Sequence, residues 1–204
     1  MASGLRSALV YDPALRLLHW GNALLVIALL ASGLVAQLLQ FGALASELRH
    51  WHGIVGNALV VGLLGRLVWG WVGPEHARWR SMWQPRCWRE IFRTRRPFIA
   101  PSRFGHHPVA SLAYLTAYGL MATLVVSGLI LLAVKQGHGP LSPWFEWQLA
   151  WKHWTLLAHQ LSAYALLAFV AAHLSALILH HRIHRLPVAQ SMISGIQSLP
   201  ETST

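Results

Sequence analysis

Residues 159–173 read HQLSAYALLAFVAAH, two histidines fourteen positions apart enclosing a run without a single charged residue. An α-helix rises about 1.5 Å and turns about 100° per residue, so fourteen steps carry the side chain about 21 Å along the axis and to within about 40° of its starting face. A left-handed supercoil absorbs that offset. His159 and His173 therefore point the same way at two depths of one apolar helix. Histidines inside such helices face the bundle interior, so the rest of the chain must supply something opposite each of them.

Three further apolar runs provide the other walls. Residues 15–39, 51–72 and 109–134 precede the run at 152–181, and each is long enough to cross a bilayer core of about 30 Å, which takes roughly 20 residues. The whole chain of 204 residues is 55% hydrophobic and 11% charged, with a mean hydropathy of +0.45. Soluble domains carry about 25% charged residues. The expected architecture is all-α: an integral membrane four-helix bundle forming one domain over residues 1–204, in contact with lipid along its length.

The net charge of +10 would suggest nucleic acid in a soluble protein, but here it has a topological explanation, and no nucleic-acid partner is expected. Loop 73–108 holds Arg78, Arg80, Arg86, Arg89, Arg93, Arg95, Arg96 and Arg103, whereas the loop after the first span holds only Arg49 and that after the third only Lys135 and Lys152. By the positive-inside rule the Arg-rich loop and both termini are cytoplasmic. Trp20, Trp69 and Trp71 then mark one interface and Trp51, Trp144, Trp147, Trp151 and Trp154 the other. Within the loop, SMWQPRCWREIFRTRRPF (81–98) interleaves aromatics with arginines; it reads either as a segment lying on an anionic membrane surface or as a plain basic connector. The first run has no short apolar core followed by a cleavage site, so the first helix is expected to stay in the mature protein.

In this frame His19 lies at the cytoplasmic end of the first span and His52 at the opposite end of the second. The fourth span meets both, giving two pairs, His52 with His159 and His19 with His173. Paired imidazoles from facing helices suit a six-coordinate haem iron in a dry bundle core; zinc would need three or four ligands at one depth. The single cysteine, Cys87, allows no Cys-x-x-Cys-His attachment. The expected cofactors are two non-covalent haem b groups with bis-His ligation.

Two residues share the fourteen-step spacing. Gly33 follows His19 by fourteen, which puts it level with the outer pair, where it either clears room for a macrocycle or packs helices. Arg66 follows His52 by fourteen and is buried in a span; it either pairs with a haem propionate or snorkels to the inner interface. His50 points about 200° around the helix from His52, and Gly53 and Gly56 favour His52. His106 or His107, opening the third span, is a candidate to approach the inner haem edge or a quinone.

With DPALRLLHW (12–20), HGIVG (52–56), GRLVWGWVGPEHARW (65–79), GHHPVASLAY (105–114), HQLSAYALLAFVAAH (159–173) and SMISG (191–195) in this order, the chain resembles the bacterial and Ni-hydrogenase cytochrome b561 family over roughly residues 11–195. Where that family opens its third helix with Gly-His-Asn-Pro, His107 stands in the Asn position. The resemblance implies a multi-pass protein of the bacterial inner membrane, with the four histidines as axial ligands, passing electrons between a periplasmic redox protein and the quinone pool. A different class of function stays open beside it: a stand-alone quinone reductase oxidising a small reductant such as superoxide at the periplasmic face, drawn there by Arg49, Lys135 and Lys152. A homo-oligomer is compatible with either.

Overall fold

The computed structural model describes residues 5–82, 89, 93, 108–145, 149–184 and 188–200. Strand β1 (Leu5–Leu9) leads into α1 (Pro13–Leu39) and α2 (Ala43–Val72), followed by a 3-10 turn (Glu75–Ala77) and one helical turn (Trp79–Met82). Next come α3 (Pro108–Gln136), a helical turn (Ser142–Phe145), α4 (Leu149–His184), α5 (Val188–Ser194) and β2 (Ile196–Pro200). Four helices are long and apolar enough to span a membrane, over Pro13–Leu39, Ala43–Val72, Ala110–Gln136 and Trp151–Leu179. The protein is an all-α, multi-pass membrane helical bundle. Leu24, Val61, Leu161 and Leu174 stand exposed on these helices, as lipid-facing side chains must.

Each helix begins before the apolar run that announced it. The second starts at Ala43, eight residues ahead of Trp51, with Ser46 N–H donating to the Gly42 carbonyl at 3.1 Å. Helical hydrogen bonds are local and indifferent to side-chain polarity, so the helix includes Ser46, Glu47, Arg49 and His50. His52 therefore sits more than two turns into α2 rather than at its start. The link from α1 to α2 is only three residues long, and it turns sharply because Gln40 and Gly42 take positive φ values of 55° and 102°.

The residues form two compact groups. One comprises 20–64 and 117–171; its core is Val26, Leu59, Leu63, Met121 and Leu166, drawn from all four long helices. Asn22 Nδ2 donates to the Gly62 carbonyl at 3.3 Å, and a Cβ at residue 62 would collide with the Asn22 carboxamide. Tyr164 Oη donates to Gln37 Oε1 at 3.0 Å, a polar tie between α4 and α1.

The other group comprises 1–19, 65–116 and 172–204 and contains an element that hydropathy does not announce. β1 pairs antiparallel with β2, from Leu5 opposite Pro200 to Leu9 opposite Ile196, joining the two ends of the chain. Gly195, at φ 84°, ends α5 with its N–H on the Ser191 carbonyl, and its own carbonyl accepts from Val10 and Tyr11. A Cβ there would approach the Tyr11 carbonyl to 2.6 Å. Val10, Tyr11, Leu15 and Ala77 form the local core, with Trp69 and Met192 packed on it. Trp69, expected in an interfacial belt, is half-buried and donates its indole N–H to Asp12 Oδ1 at 3.1 Å. That same oxygen caps α1 by accepting from Leu15 N–H at 3.0 Å, with Pro13 in the first helical position, where its missing N–H costs nothing.

Asp12 thus serves a helix terminus and an indole with one oxygen. Asp12→Ala is expected to destabilise the detergent-solubilised protein by about 1–3 kcal/mol, the sum of a lost cap and a lost side-chain bond. Asp12→Asn, which keeps Oδ1, is expected to retain most of the stability. Thermal unfolding of the two variants side by side is the check.

Candidate functional site

His52 on α2 and His159 on α4 come together. Their ring centres lie 6.2 Å apart with planes at 69°. An imidazole nitrogen binds a transition metal at about 2.0 Å and the ring centre lies about 1 Å further, so two imidazoles on opposite sides of one metal ion have centres about 6 Å apart. Among the described residues no three or more His, Cys, Asp or Glu side chains gather in one place. The donor set is a pair, which is what a cofactor supplying the equatorial ligands requires and what a bare zinc ion does not.

Both rings are held in the same way. Ser32 Oγ, on α1, lies 3.0 Å from His52 Nδ1, and Ser127 Oγ, on α3, lies 2.9 Å from His159 Nδ1. The residue after each serine is a glycine in contact with the same ring: a Cβ at Gly33 would lie 3.3 Å from His52 Cε1, and one at Gly128 would lie 3.4 Å from His159 Cε1. Gly33 was expected either to clear room for a macrocycle or to pack helices at this level; the structure sets the His52 ring itself against it.

A cavity of about 450 Å³ adjoins the pair, lined by Gly33, Gly53, Gly56 and Gly128 and by aliphatic side chains such as Val26, Leu30, Val125 and Leu166. This is within the roughly 300–1,000 Å³ usual for small-molecule and cofactor sites. Arg49 and Lys135 also line it, and both extend to a second, more polar cavity with Ser46, His50, Gln136 and Lys152. His50 turns to this polar cavity and to Trp51, with ring centres 6.0 Å apart, and takes no part in the histidine pair.

The second predicted pair lies in the other group of residues. His19 is half-buried on α1, His173 is exposed on α4, and the two are electrostatic neighbours. Arg66 is 3% exposed, with its guanidinium carbon 4.6 Å from the centre of the Trp79 ring. The indole is fixed in turn by its N–H on the Leu67 carbonyl at 3.2 Å, and a side chain at Gly70 would overlap it. A cation over an indole face is stabilised by the ring quadrupole, the more so where water is excluded. Part of the reason an arginine is tolerated inside this span is therefore Trp79. His107 lies outside the described residues, as does His106 and most of the Arg-rich loop.

Residues 10–195 match the family model described as prokaryotic cytochrome b561. The chain belongs to this family. Its relatives include the proteins named "Probable Ni/Fe-hydrogenase B-type cytochrome subunit" of Bradyrhizobium diazoefficiens, 29% identical over 95% of this chain and 87% of the relative, and of Rhodobacter capsulatus, 30% identical over 93% and 80%. The b561 chain is accordingly a membrane b-type cytochrome concerned with electron transfer, and its family implies haem b. The His52/His159 pair fits that group on three independent counts: ring spacing, a glycine against either ring, and a largely apolar cavity whose lining includes Arg49 and Lys135.

Ser32, Ser127 and Gly128 were not singled out by reading the chain. The signal was present, since residues 29–33 (LLASG) and 124–128 (LVVSG) both carry Leu-x-x-Ser-Gly. Nothing in one dimension says that each Ser-Gly faces a histidine on the following long helix.

Gly33→Val and Gly128→Val are each expected to displace an imidazole and to lower haem retention after purification at least severalfold. Gly21→Ala, at a helical glycine with nothing within 4 Å of the added carbon, is expected to leave haem content at the wild-type level. Pyridine haemochrome assays on the three variants make the comparison.

Proposed function

We propose that this cytochrome carries electrons between a periplasmic redox protein and the quinone pool of the bacterial inner membrane through two non-covalent haem b groups. His52 and His159 hold one, towards the periplasm, and His19 and His173 hold the other, towards the cytoplasm, where both termini lie. The observation that carries this reading is the 6.2 Å spacing of the His52 and His159 rings, together with the fourteen residues that separate each of His159 and His173 on one helix.

When bound, haem b supplies a one-electron iron couple whose potential follows its axial ligands, their hydrogen bonds and burial. The chain's own contribution is positional. Two imidazoles from different helices hold the group, and glycines on α1 and α3 let those rings approach. Arg49 and Lys135 at the rim of the cavity are suited to pair with propionates at the outer site, and Arg66 at the inner one. His107 belongs to the quinone end of this proposal. The names of the relatives connect those proteins with a Ni/Fe hydrogenase, and an enzyme of that kind is the partner class proposed here. A second copy of the chain is compatible with the same scheme.

The polar cavity formed by Arg49, His50, Lys135 and Lys152 favours a second reading, in which a small anionic reductant such as superoxide is oxidised directly. Reconstituted protein that reduces a quinone analogue with superoxide and no other protein would establish this reading over the first; reduction only with a purified redox partner would remove it.

The ligand assignment has its own test. Wild type is expected to contain two haem b per chain in reduced-minus-oxidised spectra, and His159→Ala or His52→Ala one. His173→Ala is expected to lose the other. Haem content unchanged in His159→Ala would overturn the pairing.

A further inference from the structure

A serine in a membrane helix commonly bonds back to its own carbonyl ladder without any further role. Ser32 and Ser127 do this: Ser32 Oγ donates to the Leu29 carbonyl at 3.2 Å, and Ser127 Oγ to the Thr123 carbonyl at 2.6 Å, with the Leu124 carbonyl at 3.2 Å. A hydroxyl has one proton and two lone pairs. With the proton committed to a backbone carbonyl, each serine meets its histidine as an acceptor. On that assignment the 3.0 Å and 2.9 Å contacts read as Nδ1–H···Oγ bonds from His52 and His159.

We propose that Ser32 and Ser127 are the positioning residues of the outer site. Each holds the imidazole of the following long helix in the Nδ1–H tautomer, so that Nε2 of His52 and of His159 presents a lone pair to the metal. This rests on the haem reading of the His52/His159 pair and deepens it. Two features set these serines apart from ordinary back-bonding ones. The arrangement occurs twice with the same local sequence, Leu-x-x-Ser-Gly, and in each case the glycine admits the very ring that the serine bonds.

The consequence is electronic as well as geometric. An acceptor on the distal N–H of a metal-bound imidazole makes the ring a stronger donor, which favours the oxidised iron and lowers the potential. Two such acceptors, one per histidine, act on the same haem. His19 and His173 belong to the other group of residues, so the inner haem serves as an internal reference for variants at Ser32 and Ser127.

The test is a potentiometric titration and an electron paramagnetic resonance spectrum of Ser32→Ala, Ser127→Ala and the double variant, with Ser→Thr at each site to restore the hydroxyl. Expected are two haems per chain, a low-spin signal of the outer haem moved from its wild-type position, and an outer potential raised by up to about tenfold in the reduction equilibrium, ~59 mV for one electron. The inner signal should stay in place and the threonine variants should return towards wild type. An unchanged outer potential and spectrum in the double alanine variant would overturn the proposal. If alanine empties the outer site, retention in the threonine variants supports it, and loss in those as well overturns it. A wild type without two haems, or a His159→Ala variant that keeps both, would instead sink the underlying ligand assignment.

Discussion

An imidazole has two nitrogens, and in the interior of an apolar helical bundle neither is left without a partner at small cost. That constraint organises the surroundings of His52 and His159 in this cytochrome. A Ser-Gly step on the preceding long helix takes Nδ1 of each ring, and with the two ring centres 6.2 Å apart the proposed task of Nε2 is to bind iron. The glycines belong to the same solution: a Cβ at residue 33 would press on the His52 ring at 3.3 Å, and one at residue 128 would already touch the His159 ring at 3.4 Å. Helix packing, hydrogen bonding and the proposed ligation are therefore settled by the same few residues.

The other group of residues uses polar chemistry for a different end. Asp12, Trp69, Gly195 and the β1–β2 ribbon tie the start of α1 to the end of the chain, at a place where the backbone leaves the long helices and its N–H and C=O groups need partners. Arg16 adds to this by donating to the Ile193 carbonyl. Arg66 and Trp79 show how a charge is accommodated within a span: the guanidinium spreads over an indole whose own position is determined by Gly70 and the Leu67 carbonyl. A lysine would keep the charge but lose the planar stacking.

Lipid and cofactor impose different demands on the same helices. Leu24, Val61 and Leu161 turn outward, where any bulky apolar residue serves. Inward positions such as Gly33, Gly62 and Gly128 tolerate little, because each abuts a named side chain on another helix.

Much of this was legible in one dimension. Four runs of spanning length, the Arg-rich loop and the fourteen-residue interval between His159 and His173 follow from hydropathy and helical pitch, which are local properties and need no partner helix. Rotation about a helix axis also showed that His50 and His52 cannot face one site together, and Gly53 and Gly56 favoured His52. The helix starts are not legible in this way, since backbone hydrogen bonding continues through Ser46, Glu47 and Arg49 where hydropathy stops. Three matters belonged to the tertiary structure alone: that Ser32 and Ser127 meet His52 and His159, that Trp79 lies on Arg66, and that the chain ends pair as strands. Each depends on which face of one helix lies against which residue of another element, and a face becomes a contact only when the chain has folded. The pair of histidines at 159 and 173 was therefore visible from the start as a spacing, while the serine that steadies the first of them was decided by packing.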